Sequence, residues 1–304
     1  GPDDKFPDGC RSCLLGSGLT AIRKTNKCNL QCRFCYNYGE LDAIEPVGEG
    51  IWVIGGTKFY ENDIDLLLKI HKKPTGVAYV YLEPFMEIEK YYNIIQKFNK
   101  AGIYQHLYTN GTLATETTLK ALGEAGLDEL RFNLGASGCA DKVIDNIGIA
   151  KKYIKIVGIE TPMTIEFFEN FFVKKQAVLD TGVDFINCAE LHLNPNNIEN
   201  YWGEKMYIAR HGYISPIWSR DLTLRFRAAA AKEKWNLVVH DCSNDTKFAR
   251  DLNLGAIEGK RLGASSYTSE FLEIPYAVFL PVLRDEEFHF LVEEELPSGY
   301  KPGE

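Results

Sequence analysis

The chain reads as an α/β protein built on parallel strands, and three observations predict it. Short β-branched or aromatic runs alternate with amphipathic segments from about residue 75 onward. Glycine or proline closes several of the amphipathic segments. Single helices between successive strands require those strands to run parallel, with right-handed crossovers. Six such strands form either an open sheet or a partial barrel, and periodicity alone does not choose between the two.

The elements follow in order. Strand 19–25 leads through a cysteine loop and a long insertion to a helix over 61–73, closed by Pro74. Val77-Ala78-Tyr79-Val80-Tyr81-Leu82 is the next strand, and Ile88, Tyr91, Ile95 and Phe98 then mark a helix that stops at Gly102. Strand 103–109 precedes helix 115–125, with Leu119, Leu122 and Ala125 on one side and Gly126 as its stop. Strand 128–134 precedes helix 140–153, lined by Val143, Ile147 and Ala150. Strand 155–160 precedes helix 166–181, ended by Gly182, and strand 183–193 is the sixth. In either architecture, chemistry gathers at the C-terminal strand ends, where the variable loops lie.

After residue 193 the rhythm breaks. A Pro/Asn/Tyr-rich stretch leads to a helix over 219–235 capped by Ser219, a strand at 237–240, and strand-like runs at 272–283 and 288–292. The chain therefore divides into an N-terminal segment with a CxxC pair (1–18), a strand–helix body (19–193), and a C-terminal α+β extension (194–304). The extension is expected to pack on the body, because no Pro/Gly/Ser linker separates them.

With 34 Lys+Arg against 42 Asp+Glu, the net charge is −8, so bulk attraction to nucleic acid is not expected. No apolar run approaches the roughly 20 residues that cross a bilayer. The start shows no basic segment leading into an apolar one, and Gly1-Pro2 looks like a tag-removal scar, so a cytoplasmic location is the expectation. The Gly135-Ala-Ser-Gly138 stretch is too short for a phosphate loop, and Gly255…Gly259 lacks the Lys-Ser/Thr of one.

Five of the eight cysteines fall in two clusters, Cys10/Cys13 and Cys28/Cys32/Cys35, which points to metal in a reducing compartment. Cys28, Cys32 and Cys35 lie in an eight-residue loop directly after the first strand. Three thiolates occupy three corners of an iron–sulfur cube and leave one iron open to a non-protein ligand. The competing reading is structural zinc with a fourth ligand from elsewhere, although zinc usually takes two pairs of ligands.

The run Cys28-Asn-Leu-Gln-Cys32-Arg-Phe34-Cys35 resembles the CxxxCxΦC signature of the radical S-adenosylmethionine (SAM) enzymes, and the resemblance extends over about 15–195 as an ordered series of strand ends. It implies a partial (β/α)6 barrel, a [4Fe–4S] cluster whose open iron chelates SAM, and reductive cleavage of SAM to a 5′-deoxyadenosyl radical that abstracts hydrogen. It also implies roles for single positions. Phe34 would lie beside the adenine, and Glu83, in Tyr81-Leu82-Glu83-Pro84, would accept from the SAM amino group. That segment stands where the family has Gly-Gly-Glu-Pro, so both glycines are replaced. Asn110, in Tyr108-Thr109-Asn110-Gly111, matches the third-strand ending. Arg131 and Asn133 alternate onto one face of the fourth strand, toward ribose or carboxylate, and Glu160, in Gly158-Ile159-Glu160, matches the fifth-strand element near adenine. A fainter similarity, carried by Cys10-Arg-Ser-Cys13, Asp241-Cys242-Ser243 and the fifth- and sixth-strand segments, is to a group related to pyruvate formate-lyase activating enzymes.

Cys10, Cys13 and Cys242 are candidate ligands for an auxiliary iron–sulfur cluster or a zinc; a redox pair and inert buried thiols are the alternatives. Cys188, Glu190, His192 and Asn194 share one face of the sixth strand by its period of two. If that face lines the lumen, Glu190 and His192 are candidates for substrate binding or proton transfer.

The expectation is an oxidoreductase of the radical SAM type acting on a small molecule or peptide, fed by a one-electron reductant such as flavodoxin or ferredoxin. The alternatives are an activating enzyme for a glycyl-radical partner protein and a zinc-stabilised, non-enzymatic binding protein.

Overall fold

The computed structural model describes residues 7–248 except 15–18, 55–56, 62, 71–75 and 210–211. The strand-like runs expected at 272–283 and 288–292 lie outside the described residues, as does the end of the helix expected at 61–73.

A short helix, α1 (Asp8–Leu14), precedes β1 (Leu19–Arg23). After the cysteine loop come β2 (Ile51–Ile54), β3 (Thr57–Tyr60) and α2 (Asp63–Ile70). The repeating units are then β4 (Gly76–Tyr79), a 3-10 segment over Pro84–Tyr91 and α3 (Tyr92–Lys100), followed by β5 (Tyr104–Thr109) and α4 (Glu116–Ala125). The next are β6 (Glu129–Phe132) with α5 (Asp141–Ala150), and β7 (Ile156–Pro162) with α6 (Ile165–Asp180). The last strands and helix are β8 (Phe185–Ala189), β9 (Met206–Ile208), β10 (Ile214–Pro216), α7 (Ile217–Glu233) and β11 (Val238–Cys242).

The main sheet has the order β11-β8-β7-β6-β5-β4-β1-β2-β3. Strands β1, β4, β5, β6, β7, β8 and β11 run parallel, and the β2–β3 hairpin adds antiparallel to β1. The two outermost strands, β11 and β3, do not pair, so the barrel stays open. Two features were not expected from the sequence. The long insertion forms the edge hairpin β2–β3, and β11, from beyond residue 193, joins the sheet beside β8 in register Asn187↔His240. The C-terminal segment thus supplies a seventh parallel strand.

The alternation of the strands sorts the two faces. Ile22, Val77, Tyr79, Leu107, Leu130, Phe132, Val157, Ile159, Ile186 and Cys188 belong to the apolar layer between sheet and helices. The other face carries Tyr104, His106, Tyr108, Glu129, Arg131, Glu160, Asn187 and His240: Arg131 and Glu129 link Tyr104, Tyr108 and Glu160, His240 meets Asn187, and the His106 ring packs edge-on to Tyr108. Gly158 must lack a side chain there: a Cβ would meet the Phe185 ring at 2.1 Å.

Two expectations need correction. Ser219 is not a cap, because α7 starts two residues earlier after Pro216. Its hydroxyl instead accepts from Leu191 N at 2.9 Å and donates to Met163 O at 2.9 Å. The sixth strand ends at Ala189, so Glu190 and His192 do not continue the face of Cys188, which packs in the apolar layer. Among the described residues no helix is long and apolar enough to cross a membrane.

Candidate active site

The cysteine loop leaves β1 on a fixed footing. The backbone N–H groups of Lys24 and Thr25 both donate to the buried Tyr91 hydroxyl, at 2.9 and 3.1 Å. Tyr91 is held edge-on by Trp52 and Tyr79, with centroids 5.5 and 5.8 Å away. Lys24 reaches the Ile51 carbonyl at 2.8 Å, which ties the loop's root to the edge hairpin.

Cys28, Cys32 and Cys35 are each half-buried, and no disulfide joins them. Cys35 N donates to Cys32 O at 2.8 Å, a turn that brings the two side chains together, and Asn37 N donates to Cys35 Sγ at 3.4 Å. Burial pushes the Cys28 thiol up and the Cys32 thiol up to about 12, and in each case the neighbouring thiols of the group add to the rise. The donor set suits an iron–sulfur cluster, since three soft sulfur ligands leave a fourth corner open; among the described residues no three His, Cys, Asp or Glu side chains stand close enough to hold a metal ion as they are placed.

Four asparagines within seven residues, Asn194, Asn196, Asn197 and Asn200, hold the far side of the loop. Asn197 Nδ2 donates to Phe34 O at 3.0 Å and Asn200 Nδ2 to Arg33 O at 2.8 Å, while Asn194 and Asn196 both donate to Tyr36 O, at 3.0 and 2.8 Å. Sequence reasoning passed over this clamp. Its signal was the asparagine density, because a loop with many unpaired carbonyls needs donors and each asparagine amide supplies two N–H groups.

Glu83 is fully buried and joins three strand ends. Its carboxylate accepts from Phe85 N at 3.0 Å, Thr109 Oγ1 at 2.8 Å and Asn110 N at 2.6 Å, and its own N–H donates to Lys27 O at 3.0 Å. Asn110 in turn donates to Asn29 Oδ1 at 2.9 Å, inside the cysteine loop. The two residues before Glu83 take left-handed backbone angles, Tyr81 with φ 107° and Leu82 with φ 53°. The turn that glycines would make is therefore made by side-chain-bearing residues, at a cost on the order of 1–3 kcal/mol each. Tyr81 is held there by the Arg23 guanidinium 4.0 Å from its ring and by its hydroxyl donating to Asn37 Oδ1 at 3.2 Å.

Burial raises Glu83 from its ordinary 4.5 to about 7, against the pull of the Asn110, Phe85 and Thr109 donors. The folded state therefore keeps this proton longer than the unfolded chain does. The associated stability is full below about pH 4.5 and is lost as pH rises toward 7, by about 3 kcal/mol. Urea midpoints measured at pH 5 and pH 7.5 are expected to fall across this window in the parent protein and to change less in Glu83→Gln. Equal changes in both would remove Glu83 as the cause.

The other expected cofactor positions are engaged within the protein. Arg131 bonds to Glu129, to Glu160 and, at 3.2 Å, to the Tyr108 hydroxyl. Asn133 accepts from Ala136 N at 3.1 Å and caps the turn whose Ala136 carbonyl lies 3.9 Å from Cys32 Sγ. The half-buried Phe34 packs with Leu191, Leu193 and Tyr201. Glu190 is met by Tyr207, by Asn244 N at 2.8 Å and by Ser215 at 3.4 Å. His192 lies against Asn244, approaches Lys247 Nζ at 3.1 Å, and stacks on Tyr213 at 4.5 Å. The structure thus groups Glu83 and Asn110 with the cysteine loop, places Arg131 and Glu160 together in the lumen, and sets Glu190 and His192 under the β9–β10 hairpin.

Residues 22–161 match the family described as the Radical SAM superfamily. Over 205 residues the chain is 28% identical to a protein of Methanocaldococcus jannaschii provisionally named a glycyl-radical enzyme activating enzyme, covering 64% of this chain and 52% of that one. Over 202 residues it is 25% identical to the tungsten-containing aldehyde ferredoxin oxidoreductase cofactor-modifying protein of Pyrococcus furiosus, covering 58% and 52%. The chain spans about half the length of these curated relatives. Among solved structures it is similar in fold to Streptococcus suis SuiB bound to S-adenosylmethionine, with a TM-score of 0.54 and 14% identity over 74% of this chain and 51% of that one.

Proposed function

Starting from the radical SAM domain that places this chain in that superfamily, we propose an enzyme in which Cys28, Cys32 and Cys35 hold a [4Fe–4S] cluster and SAM takes the remaining iron. The observation that carries this reading is the cysteine loop itself. Three half-buried thiols without disulfides lie in one eight-residue loop that is rooted on Tyr91 at one side and held by the asparagine clamp at the other. When bound and reduced, this pair supplies a 5′-deoxyadenosyl radical able to take a hydrogen atom from a substrate.

The chain's own residues provide the setting. Glu83, already oriented by Thr109 and Asn110, is the acceptor offered to the SAM amino group, and a cation there would favour its charged form. Asn110 and Asn29 keep that carboxylate in register with the cysteine loop. Phe34 offers an aromatic edge between the second and third cysteines. Glu190 and His192 are the acid–base pair offered to a substrate, Glu190 fixed by Tyr207 and Asn244 and His192 backed by Tyr213.

A second reading, activation of a glycyl-radical partner protein, is favoured by the provisional name of the M. jannaschii relative. Protein purified and reconstituted without oxygen is expected to hold at least about four irons and to release 5′-deoxyadenosine when mixed with dithionite and SAM. Iron binding without any 5′-deoxyadenosine would sink the proposal. A glycyl radical appearing on an added partner would assign the second reading.

A further inference from the structure

Where the C-terminal segment meets the end of β8, two opposite charges lie close together without pairing. β11 stops at Cys242, and Ser243 opens a turn in which Lys247 N donates to Ser243 O at 3.0 Å and Thr246 N to Ser243 Oγ at 3.3 Å. Asn244 and Lys247, three residues apart, share one side of that turn. That side faces Glu190, which leaves β8 with its N–H on the Cys242 carbonyl at 3.1 Å.

Glu190 is buried, yet the groups that meet its carboxylate are neutral. Oε1 accepts from the Tyr207 hydroxyl and, at 3.4 Å, from Ser215, while Oε2 accepts from Asn244 N at 2.8 Å. A carboxylate takes about four hydrogen bonds, so Oε2 has capacity left. Arg220 on α7 does not serve it, because both oxygens of Asp241 take its Nη1, at 2.7 and 2.8 Å.

Lys247 is the converse case. Its half-buried ammonium donates to the Glu190 main-chain carbonyl at 3.0 Å and stands 3.1 Å from His192 Nε2. Among the described residues no carboxylate lies within ion-pair distance of Lys247, and no cation lies within it of Glu190. Asn244 Nδ2 donates to the Tyr207 hydroxyl at 2.7 Å, so its Oδ1 is the atom turned to His192 Nε2. An oxygen there calls for a proton on Nε2, which leaves Lys247 with N–H groups to offer a ligand.

Opposite charges in one buried neighbourhood gain by pairing, and leaving either without a counter-charge is costly. Here they are held apart. The lysine is not needed merely to cover a carbonyl: the next two, Leu191 O and His192 O, are met by neutral donors, Ser215 Oγ at 2.7 Å and Asn197 Nδ2 at 3.3 Å. The arrangement fits a ligand that brings both counter-charges itself. It also lies beside the cysteine loop, since the same Asn197 amide donates to Phe34 O at 3.0 Å and Phe34 packs on Leu191 and Leu193.

We propose that Glu190 and Lys247 are the two poles of a substrate site for a free α-amino acid, Glu190 receiving its ammonium group and Lys247 its carboxylate. The proposal rests on the reading of Glu190 and His192 as substrate-facing residues and names the class of substrate they take. Because Lys247 is bonded to the main chain of Glu190 itself, the poles stand close enough for an ammonium and a carboxylate carried on one carbon. A peptide segment in mid-chain carries neither charge and matches neither pole.

The test is isothermal titration of the full chain, reconstituted without oxygen and held with SAM but no reductant, with each standard protein amino acid in turn. At least one is expected to bind. Its N-acetyl and carboxamide derivatives, each lacking one charge, are expected to bind at least about tenfold more weakly. Lys247→Met is expected to weaken the amino acid at least about tenfold and to leave its carboxamide unchanged, and Glu190→Gln to do the same for the amino acid against its N-acetyl derivative. No binding of any amino acid, or equal binding of the amino acid and both derivatives by the unsubstituted chain, overturns the site. Equal weakening of both ligands in variants whose circular dichroism matches the parent removes Glu190 and Lys247 as its poles. A chain that releases 5′-deoxyadenosine on reduction but binds no amino acid overturns the site and leaves the radical SAM reading standing.

Discussion

Cys32→Ala is expected to abolish 5′-deoxyadenosine formation and to cost the loop its iron, while leaving the metal-free fold nearly as stable as before. Cys32 is the middle thiol of the three, and its removal leaves two of the proposed ligands where a cube needs three. Its side chain is half-buried and its sulfur is 3.9 Å from the Ala136 carbonyl, so little packing is lost. The unfolding free energy without metal should change by under about 1 kcal/mol. Asn197→Ala makes the contrast. It removes the donor to Phe34 O and His192 O but no ligand, so a drop of about 10–100-fold is expected. Iron content, 5′-deoxyadenosine release and urea unfolding on the two variants separate the roles. A Cys32→Ala protein that still cleaves SAM would mean that the thiol is not a ligand.

Much of this site was legible because its chemistry is written locally. Three cysteines in eight residues stay together however the rest of the chain folds, and Glu83 and Asn110 stand at strand ends that periodicity located. The parts that escaped depend on distant segments. The asparagine clamp reaches back about 160 residues to the loop, as in the Asn197 bond to Phe34, and asparagine patterns do not say which carbonyls they will meet. β11 could be read as a strand from Leu237-Val238-Val239-His240, but its place beside β8 depends on the register Asn187↔His240. Ser219 was read as a cap because Ser favours that position; Pro216, with its fixed φ, starts the helix earlier and frees the hydroxyl to bridge Leu191 and Met163. The period of two carried Glu190 and His192 onto the face of Cys188, which requires the strand to continue. It stops at Ala189, where Glu190 N turns to the Cys242 carbonyl at 3.1 Å. Tyr81 and Leu82 show a different limit: sequence preference argues against their backbone angles, and Arg23 and Asn37 override it.

The largest effect on stability is expected from Arg131→Met. The arginine side chain is only 3% exposed and joins Glu129, fully buried, to Glu160, while its guanidinium carbon lies 5.3 Å from the Phe185 ring centre. Methionine fills most of the volume and keeps the contact with Phe185, but it leaves two carboxylates in the lumen with no cation between them. Breaking a buried pair from one side costs about 3–5 kcal/mol, since the penalty is the uncompensated charge rather than the lost attraction. Removing the carboxylates as well should recover much of it, so Arg131→Met/Glu129→Gln/Glu160→Gln is expected to unfold at a higher urea concentration than Arg131→Met alone. Arg131→Lys separates position from charge. An ammonium keeps one positive charge but cannot span Glu129 and Glu160 with a rigid fork, so an intermediate loss is expected. Should Arg131→Met cost under about 1 kcal/mol while raising the KM for SAM, the side chain would be serving the cofactor rather than holding the lumen together. A loss of stability with KM unchanged would instead assign Arg131 to the frame on which the strand ends, and through them Glu83 and the cysteine loop, are mounted.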